Sequence, residues 1–225
     1  MARWFFVGMA LLAAVAVFFG FAPTYFLKSF NGGPPLSGLL HVHGAVFTSW
    51  IVLLIAQTVL VASRRTDLHR RLGGVGGALA VAMTVLAYLA SIDAARRGST
   101  MPPLTALAFL AIPLATVVVF PALVGLGLWY RRRPDIHKRL MVLATTELVS
   151  AAVARMTVIS NSGPAAFFGA TDLFIVALAL YDLVTLKRVH QATLWGGLFL
   201  IASQAVRTVM TGMAWWTDVA RWLVG

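Results

Sequence analysis

His41 and His43 open one long apolar stretch of the chain, and Gln57 lies near its far end. His69, His137 and His190 each stand at the head of another such stretch, while Arg155, Asp172, Arg207, Glu147 and Asp182 fall inside apolar runs. Imidazoles can ligate a metal or a haem iron. A carboxylate in a low-dielectric medium can carry a proton, and a charged side chain held inside a membrane span marks a functional candidate.

By their depth along the helices argued below, these residues form two groups. His41, His43, Arg155, Asp172 and Arg207 fall toward the outer side, where the two arginines and the aspartate are expected to pair within the bundle. One positive charge would then be left in excess, and with the histidines the group would form a ligand-binding pocket for an anion, a haem propionate or a metal. The plainer alternative is that Asp172 only neutralises an arginine while the histidines cap a helix near the headgroups. Two histidines two positions apart point about 200° apart on a helix. They cannot share one metal there, and His43, farther from the helix start, is the one expected to face inward.

The inner group is His69, His137 and His190, one from each of three helices, which could hold a cofactor: a metal, or the iron of a b-type haem through two of them. Against this, Asp67 and Asp135 read as helix N-caps and the neighbouring arginines as headgroup anchors, which explains the spacing without a cofactor. Glu147 and Asp182, on facing helices, could form a proton-relay pair. Alternatively, Glu147 is neutral and hydrogen-bonded to Thr145, Thr146 or a linker arginine.

The elements that must position these groups follow from composition. Of 225 residues, 60% are apolar and 11% charged, against about 25% charged in an ordinary soluble domain. The apolar residues come in blocks of the length that crosses a bilayer, about 20 residues, and unsatisfied backbone in lipid forces such blocks into helices. The chain is therefore expected to be all-α, a polytopic transmembrane bundle of about seven helices forming one integral membrane domain. They are placed at about 4–27, 37–62, 72–92, 104–130, 138–160, 169–187 and 193–214, with an interfacial tail at 215–225 carrying Trp215, Trp216 and Trp222. The first block is read as a retained helix rather than a cleaved signal. Pro113 and Pro121 are expected to kink the fourth helix. Gly73, Gly74, Gly76 and Gly77, and the pair Gly196-Gly197, are expected to allow close helix approach.

Orientation follows from charge. Arg3, Arg64, Arg65, Arg70, Arg71, Arg131, Arg132, Arg133, Lys138, Arg139, Lys187 and Arg188 fall on one side, whereas Lys28, Arg96, Arg97 and Arg221 fall on the other. The positive-inside rule then puts the N-terminus in the cytoplasm and the C-terminus outside, in a bacterial inner membrane. The net charge of +11 is spread over these linkers, which leaves no basic module for nucleic acid. The absence of cysteine excludes disulfides, thiolate metal sites and cysteine nucleophiles.

The linkers also repeat. Arg65-Thr-Asp67-Leu-His69-Arg70-Arg71-Leu72 matches Arg133-Pro-Asp135-Ile-His137-Lys138-Arg139-Leu140 nearly residue for residue, and Lys187-Arg188-Val-His190 is a weaker third copy. The body therefore reads as repeated helical hairpins after a leading helix.

The stretch His41-Val-His43-Gly44, then Gln57, then Leu68-His69-Arg70-Arg71-Leu72-Gly73 resembles a family of bacterial multi-pass membrane proteins of unknown function, distantly similar to membrane cytochrome b-type helical bundles. The resemblance covers about residues 38–77. It implies that His43 or His41, Gln57 and His69 are family-typical, and it implies no activity. No histidine lies mid-span, as a bis-histidine cytochrome would require.

The expected function is a polar intramembrane site near the outer side that binds haem, quinone or another small ligand, in a redox or binding role. A proton-coupled secondary transporter is the alternative, resting on the repeated hairpins and the two carboxylates. A non-enzymatic assembly or scaffold subunit is a third. The expected partners are the lipid bilayer, a small-molecule ligand, and a second copy or a membrane complex.

Overall fold

The computed structural model describes residues 2–32 and 35–225. Helix α1 (Ala2–Phe21) runs on through a π turn at Ala22–Phe26. It is followed by α2 (Gly38–Ala62), α3 (Thr66–Arg96), α4 (Ala111–Trp129), α5 (Pro134–Val153), α6 (Pro164–Leu186), α7 (Gln191–Met210) and α8 (Ala214–Val224). Single helical turns at Lys28–Asn31, Ala106–Phe109 and Thr157–Ser160 lie in the connections. All regular structure among the described residues is helical.

Five segments are long and apolar enough to cross a membrane: Arg3–Phe26, Gly38–Ala62, Thr66–Arg96, Ala106–Trp129 and Ala165–Leu186. The chain is thus a membrane protein by the length and apolarity of its helices. Their outward faces carry Phe19, Val52, Val81, Val118, Leu173 and Val184, each more than half exposed. Such faces would be a liability in water but match a hydrocarbon solvent.

Helices α5 and α7 lie outside this set of five, and the fold gives the reason. Polar side chains dilute their apolarity, and those side chains are turned inward. Between Arg139 and Val153 almost every residue of α5 is buried, and the helix packs on α1, α4, α6 and α7. A helix enclosed on all sides can place charge against protein instead of lipid.

The connections differ from expectation in physically simple ways. Asp67 and Asp135 lie in the first turns of α3 and α5, inside the helices, with Arg65 and Arg133 at the cap positions. The acids therefore lie where they favour the helix dipole, one residue past the helix start, and not at the N-cap itself. His190 is the side chain that caps, its Nδ1 accepting from the Ala192 N–H at 3.0 Å. Pro113 sits in the first turn of α4, where a missing N–H is harmless, and only Pro121 is interior. The tail is helix α8, with Trp216 buried and donating its indole N–H to the Leu107 carbonyl at 3.0 Å. Trp215 and Trp222 remain exposed. Gly196-Gly197 does permit close packing, whereas Gly73 and Gly74 face open space.

Contacts between linkers fix the two ends of the bundle. His69 meets His137, Asp135 meets His190, and the Lys138 ammonium lies 4.7 Å from the Phe6 ring centre. The first turns of α3 and α5, the start of α7 and the beginning of α1 therefore share one arginine-rich end. At the opposite end the Arg155 guanidinium lies 4.4 Å from the Phe21 ring centre, and Tyr25 donates to the His41 carbonyl.

Candidate functional site

On α2, His43, Trp50 and Gln57 recur every seven residues, which keeps them near one face and about 10.5 Å apart along the axis. Trp50 is buried and donates its indole N–H to Thr145 Oγ1 on α5 at 3.3 Å. Each of the other two keeps one buried polar atom without a partner. Among the described residues, the buried side-chain atoms without a hydrogen-bond partner are His43 Nδ1, Gln57 Oε1 and His69 Nδ1. All three belong to the α2–α3 hairpin. An orphaned buried polar atom costs roughly 1–3 kcal/mol, so their confinement to one hairpin marks it as the candidate binding element.

At the end of this face away from the linker repeats the His43 ring stacks on Phe47, with centroids 4.1 Å apart and planes at 24°. Arg155 is close enough to act on His43 electrostatically. It donates to the Ala151 carbonyl at 2.7 Å while lying over Phe21. His41 is exposed and turns toward Tyr25, with ring centres 6.3 Å apart. Of the expected outer group, His43 and Arg155 are thus neighbours, and His41 lies outside.

Arg207 and Asp172 go elsewhere, and the expected arginine–aspartate pairing is corrected. Arg207 makes a two-point pair with Glu147, Nη1 to Oε1 at 2.8 Å and Nη2 to Oε2 at 3.0 Å. Thr116 donates to the same carboxylate at 2.7 Å, and Ser203 Oγ accepts from Arg207. Asp172 instead accepts from Gln204 Nε2 at 2.8 Å. Depth read from the sequence had separated Glu147 from Arg207; the fold joins them.

The Glu147–Asp182 relay is not assembled either. Asp182 is fully buried and accepts from both Nε and Nη2 of Arg139, from Thr193 Oγ1, and from the His190 main-chain N–H at 3.1 Å. Each carboxylate has its own arginine. Arg139, counted among the orientation anchors, therefore points into the bundle and ties α5 to α6 and α7.

The inner histidines divide two against one. The rings of His69 and His137 lie 6.1 Å apart and near perpendicular. The His137 Nδ1 is 2.8 Å from the Gly127 carbonyl at the end of α4. His190 leaves the group, its Nε2 lying 3.2 Å from Asp135 Oδ2 and its Nδ1 capping α7. No three histidine or carboxylate side chains converge as a metal site among the described residues.

Reasoning from the sequence passed over Gln204, Ser203, Thr193 and Thr116, the neutral partners of the buried charges. The spacing of Ser203 and Gln204, one turn before Arg207, was the available signal. Trp50, midway between His43 and Gln57, was likewise legible from its seven-residue spacing. No family model, curated protein or solved structure matches the chain.

Proposed function

We propose that the chain is a seven-span integral protein of a bacterial inner membrane, N-terminus in the cytoplasm, that binds a small redox ligand at the outer end of the α2–α3 hairpin. A quinone headgroup or a haem is the ligand class. The observation that carries this reading is His43 Nδ1, buried without a protein partner. A ring nitrogen in that state can accept from a hydroquinone hydroxyl, donate to a quinone carbonyl, or ligate iron. Phe47 supplies a flat apolar wall, and Arg155 a cation for an anionic semiquinone or a propionate.

The test is a visible spectrum of protein purified in mild detergent from membranes that contain haem and quinone, oxidised and then reduced with dithionite, together with solvent extraction. A Soret band that shifts on reduction, or an extractable quinone near one per chain, is expected, and His43→Ala should abolish either. A colourless protein that yields no quinone, and whose melting temperature is unmoved by added haem or a short-chain benzoquinone, overturns the reading.

A further inference from the structure

The two histidines that meet at the arginine-rich end are the equivalent positions of the two near-identical linker repeats. His69 follows Asp67 as His137 follows Asp135, each the fourth residue of its helix. From this and from the hydrogen-bond pattern around them, we propose that His69 and His137 bind a copper(I) ion between α3 and α5.

A carbonyl only accepts, so the contact between His137 and the Gly127 carbonyl places the proton on Nδ1 and leaves Nε2 with a free lone pair. Metal-bound histidines are commonly oriented in this way, the far nitrogen donating to a carbonyl. On the opposing ring His69 Nδ1 is buried with no partner. Two metal–nitrogen bonds of about 2.0–2.1 Å, plus the radius of each ring, make up a separation close to that of these rings.

The kind of metal follows from the surroundings. Two cavities of the fold, one lined by Tyr88, Asp93, Arg96 and Leu223 and one by Phe6, Met9, Thr58 and Val142, do not include these histidines. A bare ion needs no more than the space between the two rings. Arg70 acts on His69 directly, and Arg71, Arg131 and Lys138 flank the cluster in sequence. Asp67, Asp135 and Asp182 offset these charges in part, and the positive charge left over opposes a divalent cation more than a monovalent one. Imidazole nitrogen suits copper, and copper(I), a filled-shell ion, accepts the two-coordinate geometry that a pair of facing rings offers.

The experiment uses full-length protein in detergent, purified through a tag without histidine, stripped of metal and titrated with copper(I) against a chromophoric chelator. One copper per chain is expected. His69→Gln and His137→Gln should each weaken binding by more than about 100-fold, since even outer-shell partners of a metal site are worth about 10–100-fold. His41→Ala and His43→Ala should bind as the parent does, with thermal melting confirming that every variant is folded. Retention of copper by folded His69→Gln/His137→Gln, no copper uptake by the parent, or saturation by Zn²⁺ alone would each overturn the assignment.

Discussion

The Glu147 carboxylate and the Arg207 guanidinium, sixty residues apart in sequence, form a two-point ion pair in which each side chain is 1% exposed. Such a pair balances a large desolvation penalty with geometry, and removing one member strands the other. Arg207→Met alone should destabilise the protein by about 3–5 kcal/mol, whereas Glu147→Leu/Arg207→Met should recover most of the loss. Thermal unfolding in one detergent checks this. A single variant no worse than the double would show that the pair is not held out of water.

The Asp182 network makes a graded prediction. Thr193→Val removes one of its donors and should cost about 1.5–3 kcal/mol, as for a hydrogen bond to a charged group. Arg139→Leu removes the charge partner and should cost more, about 3–5 kcal/mol. If both substitutions shifted the melting temperature equally, Arg139 would be an interfacial anchor and not a buried partner.

Glycines separate tight from open packing. A Cβ on Gly20 would stand 2.3 Å from the Ala152 carbonyl oxygen of α5, and one on Gly196 would stand 2.5 Å from Leu143 Cδ1. Backbone cannot move aside as a leucine methyl can, so Gly20→Ala should be the worse of the two, with Gly196→Ala costing about 1–3 kcal/mol. Gly73 meets nothing within 4 Å, and Gly73→Ala should be neutral or gain about 0.5–1 kcal/mol from helix propensity. Comparative melting of the three variants checks the order.

The lack of cysteine makes the chain ready for single-cysteine labelling. With seven spans, Arg132→Cys and Ser162→Cys lie on opposite faces of the membrane, because α5 crosses between them. With only the five strongly apolar spans they lie on the same face. An impermeant maleimide added to intact cells should label Ser162→Cys and Ser99→Cys but not Arg132→Cys. Equal labelling of positions 132 and 162 would remove α5 from the spanning set.

Much of this was written in the sequence. Runs of about 20 apolar residues require helices in lipid, and the apolar blocks foretold a helix at each of α1 to α7, five of them apolar enough to cross a membrane by length and composition. The linker repeat announced that His69 and His137 are equivalent positions. Of the residues that carry the resemblance, His41, His43, Gln57 and His69, the last three bear the buried side-chain atoms that lack a partner among the described residues.

Pairing was decided only by the tertiary structure. Helical periodicity tells which face a side chain occupies, not which helix lies opposite. A depth count could therefore assign Glu147 to one level and Arg207 to another, although long side chains on two packed helices close that gap. For the same reason His190, grouped with two other histidines by its place in a linker, is drawn instead to Asp135 and the first turn of its own helix. Sequence determined the medium, the helices and the costly groups. The packing of α5 at the centre decided which of those groups neutralise one another and which keep a polar atom without a partner among the described residues.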